Sequence, residues 1–148
     1  MNHETYMKEA LTLACESFDS KEVPVGCVIA DETGRIIGRG RNRREEMKNA
    51  LSHAEIHAIE EACRETGDWR LEGCTLFVTL EPCPMCAGAI INARIPVVVF
   101  GAREENFGSC GSVVDLFSER YGHCPKVYAG VLAGECAALM REFFRDKR

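Results

Sequence analysis

Between Glu4 and Phe18, apolar residues recur at spacings of three and four: Tyr6, Met7, Ala10, Leu11, Ala14, Cys15 and Phe18. That period predicts an amphipathic helix. After Pro24 the pattern changes. Val25-Gly26-Cys27-Val28-Ile29-Ala30 is a β-like run, and Asp31-Glu32-Thr33-Gly34 has turn composition. Arg35 to Arg41 carries Ile36 and Ile37 into a second strand, so this segment predicts a β-hairpin. A second helix is expected to open at Ser52, a good N-cap with Glu55 at capping-box spacing, and to run through Ile56, Ile59, Ala62 and Cys63 until Gly67 stops it. Thr75 to Leu80 reads as a strand. Pro84 suits the first turn of a third long helix, through Ala87, Ile90 and Ile91. Val97-Val98-Val99-Phe100 reads as a buried strand closed by Gly101, and Val127 to Leu132 as another. A last helix from about Gly134 turns Ala137, Leu139, Met140, Phe143 and Phe144 inward.

Helices alternating with strands imply an α/β layered domain with a central sheet. Strand–helix–strand units make part of that sheet parallel, and the hairpin makes part antiparallel. A mixed sheet of about five strands with helices on both faces fits the count. No repeat, low-complexity stretch or Pro/Ser-rich linker interrupts residues 1–148, which predicts a single domain.

Composition narrows the class. Hydrophobic residues make up 46% and charged residues 28% of the 148, the profile of a folded protein. The apolar runs fall short of a membrane span. Met1 to Lys8 carries no long apolar stretch, so the expected address is cytoplasmic. The nine cysteines are odd in number and cannot all pair within the chain. Cys15, Cys27, Cys63, Cys74, Cys110, Cys124 and Cys136 stand singly and are expected to be small buried hydrophobes. A net charge of −5 argues against a protein that coats nucleic acid generally. Two basic clusters depart from that balance: Arg35, Arg39, Arg41, Arg43, Arg44 and Lys48, and Arg141, Arg145, Lys147 and Arg148. They read as ordinary solvated charge or as patches that guide a polyanion to one face.

Chemistry concentrates at His53-Ala54-Glu55 and at Pro82-Cys83-Pro84-Met85-Cys86. Zinc takes imidazole nitrogen and thiolate sulfur in a tetrahedral arrangement. Two cysteines two residues apart at a loop-to-helix junction can both face one ion, provided that this helix start faces the one bearing His53. No further Cys or His stands at ligand spacing, which leaves one position open, as in catalytic rather than structural sites. Two thiolates cancel the charge of the ion and weaken it as a Lewis acid, so a nearby base is useful, and Glu55 supplies a carboxylate. Each residue also has a plain reading. Glu55 could merely cap Ser52, Cys83 and Cys86 could be a redox pair, and His57, one turn beyond His53, reads as structural.

Together, His-x-Glu and Pro-Cys-x-x-Cys, with 29 residues between His53 and Cys83, form the known signature of the zinc-dependent deaminases. The chain resembles the cytidine-deaminase-like superfamily and, within it, the TadA family of bacterial tRNA-specific adenosine deaminases. The resemblance runs through Glu22-Val23-Pro24-Val25-Gly26, Asn42-Arg43, His53-Ala54-Glu55, Thr75 to Gly88, Phe100-Gly101-Ala102-Arg103, Gly111-Ser112 and Glu135 to Leu139. It implies a three-layer α/β/α fold, a homodimer, one zinc ion per subunit, and hydrolytic conversion of the wobble adenosine of a tRNA anticodon loop to inosine. It also implies that His53, Cys83 and Cys86 hold the metal and that Glu55 moves protons. In the same resemblance Asn42 bonds the purine edge, Val25 packs on its face, the backbone at Ala54 reads the reacting end, and Arg43, Arg103 and Glu104 meet flanking nucleotides.

The chain departs from that family in three places. Asn49-Ala50-Leu51-Ser52 replaces a common Asp-Pro-Thr lead-in, the acidic and aromatic Glu104-Glu105-Asn106-Phe107 stands where many members carry a Lys, and the basic tail is short. Fewer cations at the mouth mean less phosphate neutralisation. Two other functions therefore stand beside the first: a deaminase of a free base or nucleoside such as guanine, cytosine or cytidine, and a catalytically silent zinc module. The presence of Glu55 speaks against the latter.

Overall fold

The structure, a computed structural model, describes residues 1–145; Lys147 and Arg148 of the expected basic tail lie outside the described residues. Its elements are α1 (His3–Asp19), β1 (Gly26–Ala30), β2 (Ile36–Arg41), α2 (Arg44–Met47), α3 (Ala54–Thr66), β3 (Thr75–Leu80), α4 (Pro84–Asn92), β4 (Val97–Ala102), a short 3-10 turn (Leu116–Ser118), β5 (Lys126–Ala129) and α5 (Ala133–Arg145). The five strands form one sheet in the order β2-β1-β3-β4-β5. β1 runs antiparallel to β2 and β3, whereas β3, β4 and β5 are parallel, so the expected mixed α/β sheet is present.

Side chains alternate across the central strands as the pleat requires. Cys27, Ile29, Leu76, Val78, Val98 and Phe100 pack with Ala54, Ala58, Ala62, Ile90 and Ile91 of α3 and α4. Val28, Ala30, Phe77 and Val99 pack on the opposite face with Met7 and Ala10 of α1 and Cys136 of α5. Both faces are thereby covered, which gives three layers and explains why every residue of β1 is buried. Phe77 and Phe100 are fully buried on opposite faces. Truncating either to Ala costs about 3–5 kcal/mol.

Backbone approach sets the height of α3 on the sheet. A Cβ at Gly38 would lie 2.3 Å from the Ala58 carbonyl oxygen, and one at Gly40 would lie 2.1 Å from that of Ala54. Only glycine at these β2 positions lets the first two turns of α3 sit against the strand, and this brings His53 to the sheet edge.

Four expectations are corrected: Phe143 of α5 is buried but Phe144, expected to face inward, is exposed, and three others concern α3, β5 and the cysteines. α3 is capped by His53, not Ser52. The Ser52 hydroxyl instead lies 2.6 Å from His57 Nε2, so the capping box is absent. β5 stops at Ala129 because Gly130 (φ 86°) and Leu132 (φ 54°) turn the chain into the left-handed region ahead of α5. Cys27, Cys74, Cys110 and Cys136 are buried as expected, but Cys63 is half-buried and Cys15 and Cys124 are exposed.

Candidate metal centre and cleft

The sheet topology gathers the site at one edge. β3 ends at Leu80 and leads through Glu81-Pro82 to Cys83, and the parallel β4 ends beside it at Ala102. Because β1 is antiparallel to β3, its start lies at the same edge, where the Gly26 amide donates to the Thr79 hydroxyl (3.2 Å). Gly26 pairs with Arg41 at the end of β2, so Asn42 follows at this edge too. Ligands collect outside the carboxyl ends of parallel strands in open α/β sheets, and this edge carries a cleft of about 790 Å³.

Two helix N-termini point into the cleft. His53 is the N-cap of α3 and Cys83 the N-cap of α4, both with extended backbone (φ/ψ −91°/155° and −77°/174°), and neither side chain caps its helix. Pro84 takes the first position of α4, where its missing N–H costs nothing. Cys86 lies in the first turn and is fully buried. His53 Nδ1 stands 3.6 Å from Cys83 Sγ and 3.7 Å from Cys86 Sγ. His53, Cys83 and Cys86 thus form a group able to hold a metal ion, with all three ligand atoms within 4.8 Å of one another. Usual zinc–nitrogen and zinc–sulfur bond lengths at a tetrahedral angle separate N from S by about 3.5 Å, so the trio fits zinc.

Electrostatics at the trio favour a cation. The Cys86 thiol, and after it the His53 ring, stabilise the Cys83 thiolate against burial and hold its pKa at about 4. The Cys83 sulfur raises the pKa of His53, against burial, and also that of Cys86, where burial adds to the effect. A divalent cation competes with these protons and binds with proton release. Glu55, in the first turn of α3, is only 4% exposed and lines the cleft. Burial raises its pKa to about 7. A carboxyl poised near neutrality beside such a group suits proton transfer in either direction.

The remaining residues sort by position. Val25, Asn42, Ala54, Arg103 and Glu104 line the cleft. Asn42 is buried and fixed: its amide donates to the Val23 carbonyl (3.1 Å), and its side-chain oxygen accepts from the Arg44 amide (3.1 Å). That leaves one N–H and one lone pair for a ligand. The Arg43 guanidinium pairs with Glu46 and lines a separate, polar pocket, while its neighbour Arg44 lines the cleft. The basic cluster is laced with acids, since Arg35 pairs with Glu65 and Arg41 with Glu46. His57 is half-buried against Ser52 and near Glu60 (3.8 Å), which fits its structural reading.

Sequence reasoning missed Glu81. Its side chain is fully buried and accepts from the amides of Glu104 (3.1 Å), Cys110 (3.0 Å) and Ser112 (3.0 Å) and from the Ser112 hydroxyl. Burial alone would raise its pKa, but these bonds together, led by Ser112, hold it below the ordinary 4.5. The signal was its place directly before Pro82-Cys83, where an acid has no ligand role and needs another reason to be there. Glu22 acts similarly at α2, accepting from the amides of Glu45 (3.1 Å) and Glu46 (2.6 Å).

Comparison with known proteins agrees with this geometry. The family model of the MafB19-like deaminases matches residues 1–148. The chain is 47% identical to the tRNA-specific adenosine deaminase of Bacillus subtilis strain 168 over 98% of its own length and 90% of the relative's. It is 49% identical to that of Streptococcus pyogenes serotype M18 over 100% and 94%. A solved tRNA:A34 deaminase, from work on A-to-I editing at the wobble position, superposes with a TM-score of 0.87 at 41% identity, over 91% of this chain and 98% of that one. The guanine deaminase of B. subtilis superposes less closely, with a TM-score of 0.67 at 32% identity over 99% and 95%. Alike along nearly its whole length and carrying the deaminase signature folded into one cleft, the chain belongs to the tRNA-specific adenosine deaminase family.

Proposed function

We propose that the protein hydrolyses the wobble adenosine of a tRNA anticodon loop to inosine and releases ammonia, with His53, Cys83 and Cys86 holding one zinc ion. The observation that carries this reading is the convergence of one imidazole nitrogen and two sulfurs at 3.6 and 3.7 Å beside the buried carboxyl of Glu55.

Zinc, when bound, supplies Lewis acidity at an open position and makes water a competent nucleophile at neutral pH. The protein's own groups do the rest. Glu55 accepts one proton of the attacking water and passes it to the ring nitrogen N1 of adenine; as the C6–N6 bond breaks it takes the proton of the new C6 hydroxyl and hands it to the departing amino group, which leaves as ammonia while C6 becomes the carbonyl of inosine. Asn42, held by Val23 and Arg44, offers its remaining N–H and lone pair to the purine edge. Val25 packs on the base, and the backbone at Ala54 meets its reacting end. Arg103 and Glu104, which line the cleft, are assigned to nucleotides flanking the target; Arg43, paired with Glu46 outside the cleft, is assigned there only to a nucleotide further along the loop. A stacked base cannot reach this depth, so the target is taken from a loop, where bases can be splayed out.

Among the described residues no helix is long and apolar enough to cross a membrane. The homodimer, the cytoplasmic address and the single domain expected from sequence belong to the same proposal. The test is to incubate zinc-loaded protein with an anticodon stem-loop RNA bearing adenosine at the wobble position and, separately, with guanine, cytosine, cytidine and adenosine. Inosine at the wobble position, with free bases and nucleosides untouched, is the expected result. Turnover of a free base or nucleoside alone contradicts it.

A further inference from the structure

Phe107 is 64% exposed and lines the same cleft as His53 and Glu55. An apolar ring left in water contributes little to the fold, and this one is not on a loose segment. On its N-terminal side, the Asn106 amide donates to the Glu104 carboxylate (2.9 Å). On its C-terminal side, the Gly108 amide donates to the Glu104 carbonyl (2.8 Å), and the Ser109 amide to the Pro82 carbonyl (2.8 Å). The Phe107 carbonyl itself accepts from the Ser109 hydroxyl (3.2 Å). Gly108 lets the loop close on the buried Glu81: a Cβ there would fall 2.5 Å from that carboxyl and 2.3 Å from the Glu104 oxygen. The loop thus holds a flat, greasy surface in fixed register with the metal-binding segment.

Its surroundings say what it can meet. Next to it in the chain are Glu104, Glu105 and Asn106, which repel or ignore phosphate. The Arg103 guanidinium reaches over the Phe100 ring (5.4 Å) and lies 3.9 Å from the buried Glu81, while its side chain stays about half exposed. The loop of Phe107 itself therefore offers a π-face flanked by acids, and its one cation, Arg103, lies against the Glu81 carboxylate; the other cations of the cleft, Arg44 and Arg141, belong to other elements. Bases stack on aromatic side chains whatever their sequence, whereas backbone contacts need cations.

We infer that Phe107 is a stacking platform for a nucleobase flanking the target adenosine, so that this side of the mouth holds its RNA by base stacking rather than by phosphate neutralisation. The inference deepens the proposed function and rests on it. The occupant is a splayed base of the same loop, and Phe107 acts as a substrate-binding residue that favours a loop over a free nucleoside and leaves the metal centre untouched.

The test uses the zinc-loaded protein, with Glu55→Ala to block turnover in the binding arm. Anticodon stem-loops carrying 2-aminopurine on either side of the wobble adenosine are titrated into Glu55→Ala and into Glu55→Ala/Phe107→Ala. Fluorescence of one flanking 2-aminopurine should be quenched on binding and the quenching lost with Phe107. In the active protein, Phe107→Ala should lower kcat/KM on the stem-loop about fivefold to a hundredfold, chiefly through KM. Phe107→Trp should retain it, and zinc content and sedimentation should not change. Phe107→Lys should steepen the salt dependence of binding. Unaltered quenching and kcat/KM in Phe107→Ala overturn the platform while leaving the deaminase reading intact, as does an altered oligomeric state, which would make Phe107 a contact between copies. Normal stacking by a protein that makes no inosine supports the platform and defeats the deaminase reading. No binding of the stem-loop at all overturns both.

Discussion

The two helix ends that carry His53, Cys83 and Cys86 and the loop of residues 103–112 border one cleft, yet they are built on opposite plans. At the helix ends each chemical group is set by backbone position: two N-caps and one first-turn residue, backed by strands buried on both faces. In the loop, one buried carboxylate, Glu81, gathers backbone amides and the residues in between project outward. The first plan admits few residue types, because the metal chooses them. The second fixes the path of the chain and leaves side chains such as Phe107 open to change. Built this way, the cleft can change its substrate at the loop without disturbing the groups at the helix ends. On the proposed function, the helix ends carry the reaction and the loop the choice of substrate.

Predictions that break this division run from the metal outward. Replacing Cys83 or Cys86 with Ser should remove the metal and reduce deamination below detection, with both losses measured on the same preparation by metal analysis and inosine assay. Glu55→Gln should keep a full complement of zinc and lower turnover by about a hundredfold to ten-thousandfold. Loss of metal in that variant would mean that Glu55 is a ligand, and the two roles would no longer be distinct.

Glu81→Ala is the sharpest test of the loop's plan. It strands three amides and a hydroxyl, and should destabilise the protein by about 3 kcal/mol, read from the urea midpoint. Glu81 also predicts a pH dependence. Its pKa lies below the ordinary 4.5, so its contribution is complete above that value and is lost as the pH falls through the lower folded one. The urea midpoint of the natural protein should therefore drop below pH 4.5 more steeply than that of Glu81→Gln. The smallest effect is expected at Arg35→Ala, which breaks an exposed pair with Glu65 remote from both regions. Stability should change by less than about 1 kcal/mol and kcat/KM not at all.

The same division governs what the sequence reveals. The element order, the mixed sheet and the metal trio were all legible, because hydrophobic period and ligand chemistry leave few alternatives. The start of α3 was misjudged, since Ser52 has the composition of a cap but its hydroxyl is taken by His57. A one-dimensional pattern cannot weigh a bond across one helical turn against a bond to the backbone. Arg43 and Arg44 look equivalent in sequence, and only the fold turns one toward Glu46 and the other toward the cleft. Apart from its place before Pro82-Cys83, the role of Glu81 was not legible, because its partners lie 23 to 31 residues away. Loop anchoring of this kind is a tertiary property, set by where β3 and β4 end rather than by any local motif.

Everything proposed for the cleft depends on an open metal site of one nitrogen and two sulfurs beside a carboxylate that does not bind the ion. Zinc K-edge X-ray absorption of the purified protein reads that shell atom by atom. The expected spectrum has two sulfurs at about 2.3 Å and two lighter atoms at about 2.0 Å, one of them exchangeable with an added inhibitory anion, and it is unchanged in Glu55→Gln. A closed shell of protein ligands, or a first shell that changes when Glu55 is replaced, would contradict it.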